Sequence, residues 1–146
     1  MSKLFTTVLT PLFPLLLILG VFLNPQSASV AQEKKPHPQE QLDTTIAEMI
    51  RLLQEKEHKK LILEFSIPEE LEVLKQTNNV DALFDAFAKN GAPKLLNALK
   101  KAAELKPVMS EDGLVAEFIF PEEINGNKKM FFKKIDKKWY LQNRTS

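Results

Sequence analysis

The chain has no cysteine, and it has only four glycines, two histidines, one tryptophan and one tyrosine in 146 residues. Each shortage removes a class of chemistry. Without cysteine there is no disulfide, no thiolate nucleophile, no thiolate metal ligand and no lipid-modified cysteine. With His37 and His58 as the only imidazoles, a His-rich metal centre is out of reach, because such sites need several convergent ligands. The scattered glycines form no phosphate-cradling loop, and no Gly-x-Ser-x-Gly nucleophile elbow occurs. Charge of one sign is missing too: 20 Lys and Arg face 19 Asp and Glu, so net charge selects no partner. These absences predict a domain with neither metal nor cofactor.

Long apolar runs are also scarce. A membrane-crossing helix needs about 20 mainly apolar residues, whereas the uninterrupted run here is Leu15 to Leu23. Pro11 and Pro14 interrupt any extension toward Leu4, and Asn24-Pro25 closes the other side. Lys3 ahead of this run, with Ser29 and Ala31 three and one residues before a cut at Gln32, reads as a cleaved export signal over 1–31. An uncleaved N-terminal membrane anchor is the alternative. Cleavage leaves 115 residues with no stable membrane span, one domain by length. An exported domain without disulfides must be held by its apolar core alone.

What remains is organised in two halves. Residues 32–41 (QEKKPHPQEQ) are polar, carry two prolines and read as a flexible leader. The domain is expected over 42–142, with 143–146 as a tail. Thr45 and Glu48 have capping-box spacing, and Ile46, Met49, Ile50 and Leu53 follow at helical intervals to about Lys56. Leu61, Ile62 and Phe65 continue the pattern, as a second helix or the far arm of one bent rod. Ser66-Ile67-Pro68-Glu69 marks another start, with Leu71 and Leu74 as its buried face. Val80, Leu83, Phe84 and Phe87 form the next stripe, which Asn90-Gly91 is expected to end as a left-handed cap. Ala92-Pro93 opens a last helix bearing Leu95, Leu96 and Leu99, and Pro107 stops it.

After Pro107 the apolar period falls from 3.6 to two. Strands are expected at Val108 to Ser110, Leu114 to Phe120, Lys128 to Ile135 and Lys138 to Gln142, separated by turns around Gly113, Asn125-Gly126 and Asp136-Lys137. Helices first and strands second predict an α+β domain, with N-terminal helices packed on one face of a C-terminal three- to four-stranded antiparallel meander. This order, with the Pro-Glu-Glu helix start and the ending Phe131-Phe132-Lys133-Lys134-Ile135-Asp136-Lys137-Lys138-Trp139-Tyr140-Leu141, resembles small exported domains of the nuclear-transport-factor-2-like, cystatin-like α+β group. Lys137 stands at a turn position where members often have Gly. The resemblance implies a concavity between helices and sheet, in which enzymes of that group often pair an acid with a histidine.

Few residues offer themselves for catalysis. His37 lies between prolines in the leader, and His58, the single candidate inside the fold, falls in the charged connection Glu57-His58-Lys59. Glu69, Glu70 and Glu72 surround a helix start that favours acids for its dipole, and Glu122-Glu123 flank a turn. The aromatics are the stronger lead. Phe118 and Phe120 share a strand face, whereas Phe131 and Phe132, like Trp139 and Tyr140, fall on opposite faces, so apolar groups arise on both sides of the sheet. Lysines interleave these rings from Lys128 to Tyr140, a pattern seen in nucleic-acid binding. Export argues against that partner, and lysines on strand edges have a sufficient role in preventing aggregation.

The sequence therefore points to an exported non-enzymatic domain that binds a protein partner or a small apolar ligand. Phe84, Phe87, Phe118, Phe120, Phe132 and Trp139 are the expected lining, and a filled core accounts for them equally. The alternatives are a small hydrolase or isomerase using His58, and a structural factor that forms a homodimer through the sheet.

Overall fold

A computed structural model describes residues 36–76 and 79–143. Residues 1–31, read as a cleaved export signal, lie outside the described residues, as do the first four leader residues, Thr77-Asn78 and the last three residues of the tail. The elements run α1 (Leu42–Gln54), α2 (His58–Phe65), α3 (Pro68–Lys75), α4 (Val80–Ala86), α5 (Ala92–Ala102), then β1 (Val108–Met109), β2 (Val115–Ile124), β3 (Asn127–Ile135) and β4 (Lys138–Gln142). The strands form one antiparallel meander in the order β1-β2-β3-β4. This is the α+β architecture expected from the change of apolar period.

Register decides which side chains face the helices. Phe118 pairs with Met130, Ala116 with Phe132 and Phe132 with Leu141, so these residues share one face with Phe120 and Trp139. Ala116, Phe118, Phe120, Met130, Phe132 and Trp139 are all buried there, against Met49, Leu52 and Leu53 of α1, Leu61 and Phe65 of α2, and Leu99 and Ala102 of α5. Phe118 and Phe132 meet edge to face at 5.9 Å between ring centres, a favoured aromatic geometry. The opposite face carries Val108, Val115, Ile119, Phe131, Ile135 and Tyr140 among Glu117, Lys129, Lys133 and Lys138. Its Ile119 is 50% exposed and its Val108 55% exposed, while Lys129 Nζ pairs with Glu117 Oε1 at 2.5 Å.

Five local readings change. Thr45 is not an N-cap: it lies inside α1, fully buried, and its hydroxyl donates to the Gln41 carbonyl at 2.7 Å. Of the two alternatives for α1 and α2 the bent rod falls away: they are separate helices, broken where Lys56 takes a left-handed φ of 62°. Residues 36–41, read as flexible leader, include a short 3-10 turn at Pro38–Glu40 that belongs to the fold. Gln39 is 3% exposed, and its amide donates to the carbonyls of Glu64 at 2.8 Å and Trp139 at 3.2 Å. β2 runs through Pro121, which sits in a register shift between Ile119 and Ile124. A proline is tolerated at such a bulge because the ladder there already lacks pairs.

The fifth change concerns Gly91. Its φ is −83°, so it caps nothing, and the chain passes from α4 through a π-helical turn at Phe87–Gly91 directly into α5. Pro93 explains the turn. A proline within a helix lacks the N–H that would bond four residues back and its ring collides with that carbonyl, here Lys89, and a wider turn relieves both problems. Gly91 is required because a Cβ there would lie 2.6 Å from Cδ2 of Phe87.

The β2–β3 and β3–β4 turns place consecutive residues at positive φ: Asn125 and Gly126 at 54° and 85°, Asp136 and Lys137 at 48° and 68°. This is the type I′ geometry that matches strand twist. Lys137 bears a left-handed cost of roughly 1–2 kcal/mol that glycine escapes, partly offset by glycine's larger unfolded-state entropy. Lys137→Gly is therefore expected to stabilise the protein by about 0.5–1 kcal/mol, read as a higher midpoint in urea with an unchanged slope. A lower midpoint would show that the Lys137 side chain contributes more than its backbone costs.

Candidate functional site

α3 has no buried residue, and α4 buries only Phe84. These two helices stand off the core and form one wall of a cleft of about 790 Å³. The wall consists of Leu71 and Leu74 from α3 with Leu83 and Phe84 from α4. The floor and far wall come from Leu61 and Phe65 of α2, Phe87 of the π turn, Leu95 of α5, Phe120 and Ile124 of β2, Met130 of β3 and Leu141 of β4. Leu71 and Leu74, expected as a buried helix face, are half-buried cleft walls instead. Val73 beside them is 68% exposed.

α4 is positioned chiefly by the Phe84 ring. Lys59 of α2 lies 5.4 Å above that ring and 4.0 Å from the Asp81 carboxylate, a cation–π contact and an exposed ion pair of small individual worth. At the opposite end, the Asn125 side-chain amide donates to the Lys94 carbonyl at 2.9 Å. That bond ties the tip of the β2–β3 hairpin to the first turn of α5 and closes this end of the cleft. Asn127, whose amide is directed at the Asn125 carbonyl (3.4 Å), shares the tip.

Polar side chains are few and lie around the apolar lining. Ser66, Glu70, Gln142 and Asn143 accompany the α2–α3 link and the end of β4, where Ser66 and Leu141 form an isolated parallel bridge. Lys94, Asn125 and Asn127 accompany the hairpin tip. The Oε1 atom of Gln142 is buried and accepts no hydrogen bond. Lys129, also on the lining, is neutralised by Glu117.

The six aromatic residues singled out by sequence divide into two groups. Phe84, Phe87 and Phe120 line the cleft, whereas Phe118, Phe132 and Trp139 lie in the core beneath it. His58 begins α2, half-buried, with its ring edge-on to Phe87 at 6.1 Å. It makes no hydrogen bond or ion pair with a described residue. Among the described residues no cluster of three His, Asp or Glu side chains could hold a metal, and no helix is long and apolar enough to cross a membrane.

Sequence reasoning missed Leu83, Leu95, Met130 and Lys94 as cleft residues. The signal available was the excess of apolar residues on α3, where Leu71, Val73 and Leu74 spread around the helix instead of keeping to one stripe. Comparison of the chain with family models, with curated proteins and with solved structures finds no match.

Proposed function

We propose that this domain is an exported binding protein whose cleft between the α3–α4 wall and the open end of the sheet takes a small apolar ligand. The observation that carries the reading is the wall itself. Leu71, Leu74 and Leu83 gain little from the core, yet they converge with Phe84, Phe87 and Phe120 on a common space. Its size falls within the roughly 300–1,000 Å³ of small-molecule pockets, and its largely apolar lining with a few polar groups has the composition of such sites. The likeness of the C-terminal hairpin to nuclear-transport-factor-2-like domains supports the same reading, since that group encloses a cavity between helices and sheet.

The test is a titration with a neutral apolar dye, N-phenyl-1-naphthylamine, followed by fluorescence. The wild-type protein is expected to bind it saturably with one site per chain. Leu71→Asp, which places a carboxylate in the apolar wall, is expected to weaken binding at least about tenfold. Because α3 buries no residue, this variant should unfold within about 0.5–1 kcal/mol of the wild type. A wild type that fails to saturate, or a Leu71→Asp protein that binds equally well, would remove the cleft as a ligand site.

A further inference from the structure

We infer that the ligand of this cleft is an amphiphile with a single anionic head, a long-chain carboxylate being the simplest case, and that Lys94 receives the head. The inference rests on the cleft reading above and adds the chemical class of its occupant.

Three charged residues border the cleft, Glu70, Lys94 and Lys129, the last with its side chain turned to the opposite face of the sheet. Lys129 already faces Glu117 at 2.5 Å, so its charge is satisfied within the protein. Lys94 has no carboxylate within ion-pair distance among the described residues, and Glu70, on the α3 wall, pairs with neither lysine. Lys94 therefore presents an ammonium without a carboxylate partner beside the hairpin tip, and the bond from the Asn125 amide to the Lys94 backbone carbonyl fixes the start of its side chain at one end of the space. The apolar side chains of Leu83, Phe84, Phe87, Leu95 and Phe120 occupy the lining beyond them.

An ammonium group beside a low-dielectric wall attracts an anion more strongly than it does in open water, and the adjoining apolar surface excludes competing solvent. A purely hydrocarbon ligand would gain nothing from that ammonium, which is exposed and stays hydrated, and a cationic head would be repelled by it. A head of one negative charge with a flexible apolar tail satisfies both parts of the lining together. The charge preference then supplies selectivity, while the tail supplies most of the affinity.

The experiment compares three twelve-carbon probes on the full chain by displacement of the neutral dye: dodecanoate, dodecanol and dodecyltrimethylammonium. Dodecanoate is expected to bind about tenfold tighter than dodecanol, with the ammonium probe weakest. Lys94→Gln should erase the gap between dodecanoate and dodecanol, chiefly through weaker binding of dodecanoate. Equal binding of the two probes by the wild type overturns the anionic-head assignment and leaves the cleft reading standing. A gap that survives in Lys94→Gln overturns the role of Lys94. Failure of all three probes to displace a bound dye overturns the amphiphile class, and failure of the dye itself to bind overturns the cleft reading beneath it.

Discussion

Truncating Trp139 to Ala is expected to cost about 3–5 kcal/mol of folding stability, a large share of what a domain of this size possesses. Trp139 is 4% exposed and belongs to the core, not to the cleft lining. The removed indole leaves a cavity between β4 and the helices that the surrounding side chains fill only in part, and the cost grows with that residual volume. Lys134, whose Nζ lies 5.4 Å over the ring, also loses its cation–π partner. Phe87→Ala gives the contrast: that ring is half-buried on the cleft, so its truncation is expected to cost less stability than that of Trp139 and to weaken binding of the proposed ligand. Urea unfolding of Trp139→Ala is the measurement, and a midpoint equal to the wild type would contradict the burial of the indole.

Replacing Gln39 with Ala is expected to destabilise the protein by about 2–4 kcal/mol. Two hydrogen bonds disappear at once, and the carbonyl of Trp139 stays behind buried while that of Glu64 stays behind part-buried. The penalty for a stranded buried acceptor exceeds the net gain from making the bond. The amide joins the 3-10 turn to α2 and β4 together, so hydrogen exchange should rise at the end of α2 and along β4 before it rises in the β2–β3 ladder. Exchange that increases uniformly across the sheet would show that Gln39 acts through global stability and not through this local tie.

The two substitutions mark the boundary of what a sequence discloses here. Trp139 was legible as a residue of an apolar strand face, because alternation along β4 is a local property of a strand, while its place in the core and not on a ligand lining was left open. The fold class followed for the same reason: a helical period that gives way to a period of two is written in neighbouring residues. Gln39 was not legible. A glutamine between a proline and a glutamate has the composition of a solvated linker, and its role depends on a carbonyl 100 positions away. Thr45 misled in the same manner, since its spacing from Glu48 imitates a cap while its hydroxyl serves the interior of α1.

The cleft was half legible. Phe84, Phe87 and Phe120 were singled out as apolar lining, but so were Phe118, Phe132 and Trp139, because periodicity identifies a face without saying whether that face meets a neighbour or a space. Only the stand-off of α3 and α4 separates the two groups. Gly91 shows a related limit. Asn-Gly after an apolar stripe has the form of a helix stop, yet the reason for glycine is the Phe87 ring packed against its α-carbon, a contact between residues one turn apart that turn statistics do not encode.

The π turn at Phe87–Gly91 amounts to one residue more than an α-helical path between α4 and α5 would use. In an α-helix each residue advances the side chains by about 100° around the axis. The extra residue therefore acts as a phase adjuster: it sets the direction of Leu83 and Phe84 relative to Leu95 and Leu99 along what is otherwise one rod. A chain shortened by a single residue there would keep every hydrophobic side chain, yet it would turn the upper half of the rod about a quarter of a revolution away from the space it now borders and return Pro93 to the collision that the wider turn relieves. The cleft wall thus depends on residue count as much as on residue identity, and the five-residue span 87–91 is the place where a one-codon deletion would re-aim that wall.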